Sequence, residues 1–345
     1  MSDYQFPYKD ARFILDEIVG FDALCAGGGL DEVNAELAAA IFEEANRLAV
    51  EVIAPLNWVG NEKGATLGEN GVDETPGFSE AYAQMVESGW CGLGFPEDWG
   101  GQGMPKVLAT ATDEIWQSAN LGFSLCMMLT HGAVEALLTH GTEELRAAYL
   151  EKLVSGEWTG TMNLTEPQAG SDVGALSSKA EDNGDGTYAI TGQKIYISWA
   201  DNDFTENVCH LVLARLPDGV PGTKGISLFM VPKLIPDADG NPGKQNDLRV
   251  VSLEHKMGLH GSPTAVMEYS GATGWLVGPE HGGMAAMFTM MNNARLQVGM
   301  QGIGLAEAAY QQALDYALER RQGRSPLPDG TGAIVDFADV RRMLT

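Results

Sequence analysis

The stretch Thr161-Met162-Asn163-Leu164-Thr165-Glu166-Pro167-Gln168-Ala169-Gly170-Ser171-Asp172 carries more information about the fold than any other part of the chain. It begins like a strand that ends in a hydroxyl residue, and an X-Pro turn follows. Pro167 restricts Glu166 to an extended conformation, and Ala169-Gly170 allows the backbone to approach a flat or charged ligand closely. The pattern predicts a loop whose amides and hydroxyl groups face a ligand.

Residues 1–156, which precede this stretch, are predicted to be helical. Apolar residues recur at helical spacing behind Asp31, a predicted N-cap, until Pro55: Val33, Leu37, Ile41, Leu48 and Val52. Thr75 is a second predicted N-cap, with Pro76 at the first helical position. Thr142 is predicted to begin a further helix, which Gly156 ends.

After residue 157 the hydrophobic period changes to that of strands. Apolar residues alternate near the turn-rich Asn183-Gly184-Asp185-Gly186, as Tyr188/Ile190 and Ile195/Ile197, which predicts a hairpin. Further strands are predicted at four places: 208–215, 225–232, 248–254 and 264–270. Their spacing and the Gly- and Pro-rich connections between them predict a compact β-barrel or sandwich of roughly 120 residues.

Helical periodicity returns from Gly283 to about Gln322, which predicts a long bundle helix. A second helix is predicted to begin near Asp336, and the chain ends inside it at Thr345. We therefore expect a helical bundle that is only partly present. The predicted fold class is α+β and multi-domain: a helical domain at 1–156, a β-domain at 157–278, and the start of a C-terminal bundle at 279–345.

Composition limits the possible functions. The chain has 44% hydrophobic residues and a formal net charge of −26, which argues against a nucleic-acid-binding face, since phosphate backbones need clustered Lys and Arg. The acidity is explained by a solvated surface or by an acidic interaction face.

No run of 18 uninterrupted apolar residues and no secretory signal is found, and four scattered cysteines suit a reducing, cytoplasmic location. No metal site is predicted, because His255 and His260 lack ligand-like companions.

The ordered string L-T-E-P-x-A-G-S-D at Leu164–Asp172 resembles the flavin-contacting motif of the acyl-CoA dehydrogenase family. The order of helices, β-domain and long helix resembles that family along all 345 residues. Four further stretches resemble its motifs: Gly94–Gly103, Gly141–Glu144 with Leu153–Trp158 after it, Gly192–Ser198 and Ala317–Arg324.

The resemblance implies that FAD is the cofactor. Met162, Leu164 and Thr165 would hold its pyrimidine side. Tyr196 and Ser198 would lie beside the isoalloxazine ring, with the tyrosine stacking where relatives often carry tryptophan.

Other implied contacts concern the substrate and a second subunit. Ser171 would contact the CoA part of an acyl-CoA near its phosphates. Asn292 and Arg295 fall where the family's long helix touches substrate. Arg320 and Gln322 would reach the FAD of a neighbouring subunit, because the family usually builds this site across a dimer; a homodimer or tetramer is therefore expected.

The implied activity is α,β-dehydrogenation of an acyl-CoA, in which a carboxylate removes the α-proton and a hydride passes to flavin N5. A minority of relatives carry the base where this chain has Ala294, and most others carry it on a helix beyond Thr345. No catalytic base is therefore expected in this chain, and Glu166 reads as structural because it precedes Pro167. Electron-transfer flavoprotein is the expected electron acceptor.

Three segments extend the usual family pattern: Tyr4–Gly29, Asn57–Gly77 and Lys233–Val250. They resemble the larger subfamily that includes methylmercaptopropionyl-CoA dehydrogenases and broad-range bacterial fatty acyl-CoA dehydrogenases. Four methionines at one end of the long helix would suit a sulfur-bearing acyl chain, although helix methionines are more often core: Met284, Met287, Met290 and Met291. The alternatives left open are a fatty acyl-CoA dehydrogenase, a catalytically silent flavoprotein and an acyl-CoA oxidase.

Overall fold

The structure is a computed structural model that describes residues 4–345. The first three residues, part of the N-terminus in which no signal sequence is predicted, lie outside the described residues. The chain divides into two compact units. The first comprises the chain up to Ala54, residues 110–121 and residues 299–345; the second comprises residues 55–109 and 122–298. The domain boundaries at residues 156 and 278 remain predictions.

Ten α-helices are described along residues 4–345. They are α1 Tyr8–Phe13, α2 Phe21–Gly27, α3 Ala35–Leu48, α4 Pro55–Glu62, α5 Phe78–Glu87, α6 Lys106–Ala119, α7 Leu121–His140, α8 Glu143–Ser155, α9 Gly283–Glu319 and α10 Ala338–Leu344. The long helix and the helix near Asp336, which a 3₁₀ turn at Ile334–Asp336 introduces, are both confirmed.

Two of the predicted N-caps are wrong. The cap of α3 is Asn34, whose Oδ1 accepts the N–H groups of Glu36 and Leu37 at 3.0 Å each. Asp31 instead lies in a turn that the Val33 N–H closes on the Leu30 carbonyl at 3.0 Å. Gly77, with φ of 91°, precedes α5, so Thr75 is not its cap.

Other helix boundaries follow the local chemistry. Thr142 Oγ1 accepts the Leu145 N–H at 3.3 Å, and Gly156 ends α8 at φ of 85°, so both predictions are confirmed. The helix that was predicted to stop at Pro55 is α3. It continues as a short π-helix over Ala49–Ile53 and ends there. Pro55 then begins α4, a position where its missing N–H costs nothing.

The second unit is built around a strand barrel. Its strands are β3 Trp158–Asn163, β4 Lys179–Asp182, β5 Tyr188–Ser198, β6 Asn207–Arg215, β7 Ile226–Pro232, β10 Leu248–Leu253 and β11 Thr264–Val277. Two small hairpins accompany them: β1 Thr66–Leu67 with β2 Val72–Asp73, and β8 Leu234–Pro236 with β9 Pro242–Gln245.

The strand pairing closes on itself. β11 pairs with β5, β5 with β4, β4 with β6, β6 with β7, and β7 again with β11. β10 adds to β11, and β3 adds to β6 as a parallel strand. The predicted barrel and its β4–β5 hairpin are therefore confirmed. Most of the interior is apolar, with Ile190, Val212 and Phe229 among its fully buried side chains.

One helix of the described chain is long and apolar enough to cross a membrane by length and composition alone. This is α7, Leu121–His140, and 72% of its apolar stretch is buried inside the protein, as in a helix at the centre of a folded domain. His131 lies in the middle of α7. Its Nε2 lies 3.1 Å from the Cys91 carbonyl, and burial lowers its pKa to about 4.

All four cysteines are free and buried: Cys25, Cys91, Cys126 and Cys209. Burial raises the pKa of each thiol, that of Cys91 to about 12. Because the thiolate is the reactive form, these side chains behave as small apolar core residues.

Candidate active site

Two segments far apart in sequence meet at the end of β3. The Ile195 N–H donates to the Thr165 carbonyl at 2.9 Å, and Lys194 Nζ donates to the Leu164 carbonyl at 3.0 Å. The Thr161 hydroxyl donates to the Ser198 carbonyl at 2.7 Å. These contacts bring the predicted cofactor residues of the first motif beside those at the end of β5.

A two-residue turn at Pro167-Gln168 shapes the loop after β3. The Glu166 N–H donates to the Ala169 carbonyl at 3.1 Å, and the Ala169 N–H donates back to the Glu166 carbonyl at 3.0 Å. The chain then emerges at Gly170, and Ser171 is exposed. The structure therefore presents Ser171 at the surface of this loop, as expected of a residue available to a ligand.

Glu166 is the structural centre of this turn. Its carboxylate accepts from the N–H and hydroxyl groups of Ser177 and Ser178 at 2.6–3.0 Å and from Gln168 Nε2 at 2.7 Å. Lys194 Nζ completes the set at 2.8 Å. Burial favours the neutral acid, but Lys194 and these donors outweigh it and lower the pKa of Glu166 to about 2. A carboxylate so engaged is a poor proton acceptor, which supports the prediction that Glu166 is structural.

Lys194 has no exposed side-chain surface, and Glu166 has 2%. Burial lowers the pKa of Lys194 to about 8, although Glu166 acts in the opposite direction, so both groups are charged at neutral pH. No role was predicted for Lys194 from the sequence. The signal was available, because Lys194 shares the inward side of β5 with the fully buried Ile190, and a lysine there needs an acidic partner.

Tyr196 occupies a strained backbone position. Between the pairs Met267↔Lys194 and Ala265↔Ile197, β5 has two residues opposite one of β11, which defines a β-bulge. Tyr196 takes φ of 59° there, and its side chain is 62% exposed. A left-handed conformation costs an L-residue about 1–2 kcal/mol. The fold therefore holds an aromatic ring in solvent at an energetic cost, a combination that typically accompanies function.

Replacing Tyr196 with glycine should remove this strain. We expect the free energy of unfolding to stay unchanged or rise by up to about 1 kcal/mol, since glycine's greater chain entropy offsets part of the gain, while flavin retention falls. Thr191→Gly is the matched control, because Thr191 is exposed on the same strand without a positive φ, and it should cost about 1 kcal/mol. Urea unfolding measures both; equal losses in the two variants would contradict stored strain at Tyr196.

A buried polar network fixes the orientation of β3. Asn163 Oδ1 accepts the Tyr269 hydroxyl at 2.9 Å, and Asn163 Nδ2 lies 3.3 Å from Nδ1 of His210. All three side chains are buried, and burial lowers the pKa of His210 to about 3, so its ring is neutral. Because side chains alternate along a strand, an inward Asn163 turns Met162 to the opposite face, where it is half-buried.

Arg215 is a second residue without a predicted role. It lies at the end of β6 and donates to four carbonyl groups, among them Gly174 at 2.5 Å and Leu176 at 3.0 Å. Gly174 and Leu176 lie three and five residues after Ser171 in the chain. Arg215 therefore anchors the loop that carries Ser171.

The remaining predicted residues lie on or after α9. Arg295 and Asn292 are exposed; Arg295 Nη1 donates to Asn292 Oδ1 at 2.5 Å, and its guanidinium lies 5.2 Å from the ring centre of Phe288. Arg320 and Gln322 belong to the first unit and are also exposed. Their roles remain predictions, as do those of the other predicted site residues.

The residues at the junction of the two segments suit a flavin. In residues 4–345, the hydroxyl groups of Thr165 and Ser198 make no hydrogen bond, so both are free to bind a ligand. A Cβ built on Gly170 would lie 3.7 Å from the Thr165 methyl, so the threonine turns its apolar side towards the loop. Free hydroxyl groups beside the outward ring of Tyr196 match the carbonyl groups and flat surface of an isoalloxazine.

Comparisons with known proteins agree with this arrangement. Three consecutive regions match the acyl-CoA dehydrogenase N-terminal domain (residues 38–157), middle domain (161–272) and C-terminal domain (281–344). The chain belongs to the acyl-CoA dehydrogenase family. Membership indicates FAD as the cofactor.

The chain is also similar to individual proteins of this family. The chain is 47% identical to a 3-methylmercaptopropionyl-CoA dehydrogenase of Ruegeria pomeroyi over 99% of its own length and 58% of the relative's. It is 32% identical to an acyl-CoA dehydrogenase of Bacillus subtilis over 78% of its length and 67% of the relative's. The solved butyryl-CoA dehydrogenase of Megasphaera elsdenii shares the fold, with a TM-score of 0.71 and 24% identity over 88% of this chain and 72% of that one.

Proposed function

We propose that the protein acts in the FAD-dependent α,β-dehydrogenation of an acyl-CoA thioester. The observation that carries the proposal is the junction of β3 and β5, where free hydroxyl groups of Thr165 and Ser198 accompany the outward Tyr196. The names of the relatives support the same chemistry. Bound FAD would accept the hydride that leaves the β-carbon.

The chain's own residues divide the work of binding. Thr165 and Ser198 would hydrogen-bond the polar edge of the flavin, and Tyr196 would cover its face. Ser171, on the loop anchored by Arg215, would meet the CoA moiety. Arg295, exposed on α9, would orient the acyl-CoA through its cationic fork.

Abstraction of the α-proton needs a carboxylate as the base, and neither Glu166 nor the residue at position 294 can serve as one. The pKa of Glu166, about 2, and its six donors remove it as a base, and Ala294 has no acid. The chain spans 58% of the length of the R. pomeroyi relative. We therefore place the base in the part of such relatives that lies outside the matched region.

The assembly belongs to the same proposal. We assign Arg320 and Gln322 to the FAD of a partner subunit in a homodimer or tetramer. Electron-transfer flavoprotein is the proposed electron acceptor, and the cytoplasm the proposed location. Both Arg320 and Gln322 are exposed, as a contact to a second chain requires.

Thr165→Val tests the cofactor site. The change keeps the side-chain volume but removes the hydroxyl group, and it should cost about 1–3 kcal/mol of FAD affinity if that hydrogen bond is buried in the complex. FAD retained per protomer after dialysis is the measurement. Thr191→Val, on an exposed part of β5, is the control and should leave retention unchanged. Full retention in Thr165→Val would refute the assignment.

The substrate is proposed to be 3-methylmercaptopropionyl-CoA, following the most similar of the relatives described above. Met287 and Met290 are buried core residues, while Met284 and Met291 are half-buried and able to meet a ligand. In an enzyme extended to the relatives' length, we expect a higher kcat/KM for this thioether than for octanoyl- or palmitoyl-CoA. A palmitoyl-CoA optimum would favour the broad-range fatty acyl-CoA alternative.

A further inference from the structure

A groove of about 680 Å³ lies in the second unit, away from the candidate active site. Tyr188, at the start of β5, lines it, whereas Tyr196 lies eight residues further along the same strand. At about 3.3 Å per residue the two side chains are separated by roughly 25 Å. The groove is therefore separate from the predicted flavin contact at Tyr196.

Aromatic and aliphatic side chains form the wall of the groove. Trp275 and Tyr149 lie with their ring centres 6.5 Å apart and their planes tilted by 59°. Tyr188 contributes a third ring, and Leu145 and Leu276 complete the apolar lining. Trp275 and Tyr188 are half-buried, so part of each ring remains open to a ligand.

Carboxylates line the same groove. Glu144, Asp185 and Asp237 contribute to it, and all three are exposed. Hydrogen bonds from Thr187 lower the pKa of Asp185, and the Glu144 N–H and the Thr142 hydroxyl lower that of Glu144. Glu280 lies close by, since its Oε1 accepts the Tyr188 hydroxyl at 3.5 Å. None of the groove-lining residues in the described chain is a lysine or arginine.

We propose that this groove binds a small organic cation of the methylated ammonium class. An aromatic face attracts a cation through its quadrupole, and three carboxylates favour positive charge. A compact inorganic cation would keep its water shell and gain nothing from Trp275, whereas a methylated ammonium has an apolar surface and a weakly hydrated charge. The volume lies within the range of small-molecule sites, about 300–1,000 Å³.

The proposal predicts that the groove binds a positively charged ligand more tightly than a neutral ligand of the same shape. Choline and its neutral isostere 3,3-dimethyl-1-butanol serve as the probes, and saturation-transfer NMR on the full chain with FAD present measures both. We expect choline to bind at one site per protomer, on the order of tenfold more tightly than the alcohol. Equal affinities, or no choline signal at 50 mM, would overturn the proposal.

Two sets of variants locate the binding. Trp275→Leu keeps an apolar side chain but removes the ring, and it should weaken choline binding about tenfold. The triple variant Glu144→Gln, Asp185→Asn and Asp237→Asn keeps the side-chain shapes and the hydrogen-bond acceptors of both turns, and should weaken choline binding with little effect on the alcohol. Trp58→Leu, at a 53% exposed tryptophan outside the groove, is the control. Unchanged binding in both groove variants would assign choline to another place and refute the site.

Discussion

Lys194→Met is expected to lower the free energy of unfolding by about 3–5 kcal/mol, because it leaves the Glu166 carboxylate buried without its cationic partner. Glu166→Gln should also be strongly destabilising, since it leaves a buried ammonium. The double variant should cost clearly less than the sum of the two, because it buries no unpaired charge. Urea unfolding of the three variants and the parent measures this coupling.

The effect should depend on pH in a defined direction. The folded-state pKa of Glu166, about 2, lies below its ordinary value of 4.5. Its contribution is therefore fully present above about pH 4.5 and is lost as the pH falls towards 2. Lys194→Met raises that pKa, so the stability gap between the variant and the parent should narrow over this interval.

A surface pair provides the control. Lys152 Nζ lies 2.5 Å from Glu157 Oε1, but the two side chains are 31% and 40% exposed. Lys152→Met should cost no more than about 1 kcal/mol, as is usual for solvent-exposed ion pairs. A Lys194→Met loss of the same size would show that Glu166 is satisfied by its neutral donors alone.

Asn163→Leu is expected to cost about 2–5 kcal/mol and to release the flavin. The change leaves two buried groups without a partner, the Tyr269 hydroxyl and Nδ1 of His210, and each orphaned group costs about 1–3 kcal/mol. It also frees the strand end that places Met162 and Leu164. Unfolding in urea and FAD retained per protomer are the two measurements.

Asn207 offers a matched control within the same barrel. It is also fully buried, and its side chain bonds both the carbonyl and the N–H of Leu234 at 2.8 Å. It lies opposite Trp158, at the other end of β3 from the motif. Asn207→Leu should destabilise the protein comparably but leave FAD occupancy of the folded protein unchanged. Equal flavin loss in both variants would mean that Asn163 acts only on global stability.

Local chemistry explains what could be predicted from the sequence. Thr142 and Gly156 bound α8 as predicted because a cap depends on neighbours three residues away. The Asn183–Gly186 turn fixed the β4–β5 hairpin in the same way. Asp31 failed because Asn34, a better-placed capping residue, lies only three positions further on, and the sequence does not show which of the two the chain uses.

Long-range contacts explain what could not be predicted. Glu166 and Lys194 are 28 residues apart, and only the closed strand pairing brings them together. The bulge at Tyr196 arises from a register shift against β11, a strand more than 60 residues away. A tyrosine normally avoids a left-handed conformation, so no local pattern could indicate it. The motif at Leu164–Asp172 was sufficient to predict a loop that faces a ligand. The buried contacts that support this loop, such as the Glu166–Lys194 pair, could be seen only in the structure.

The four buried thiols give the protein a practical property. Each is inaccessible and holds its proton at physiological pH, so maleimide and iodoacetamide reagents should react with none of them in the folded state. A single cysteine introduced at an exposed position would then be the only fast-reacting thiol. Spectroscopic probes could be attached there without first removing the native cysteines, and any later labelling of those four would report unfolding.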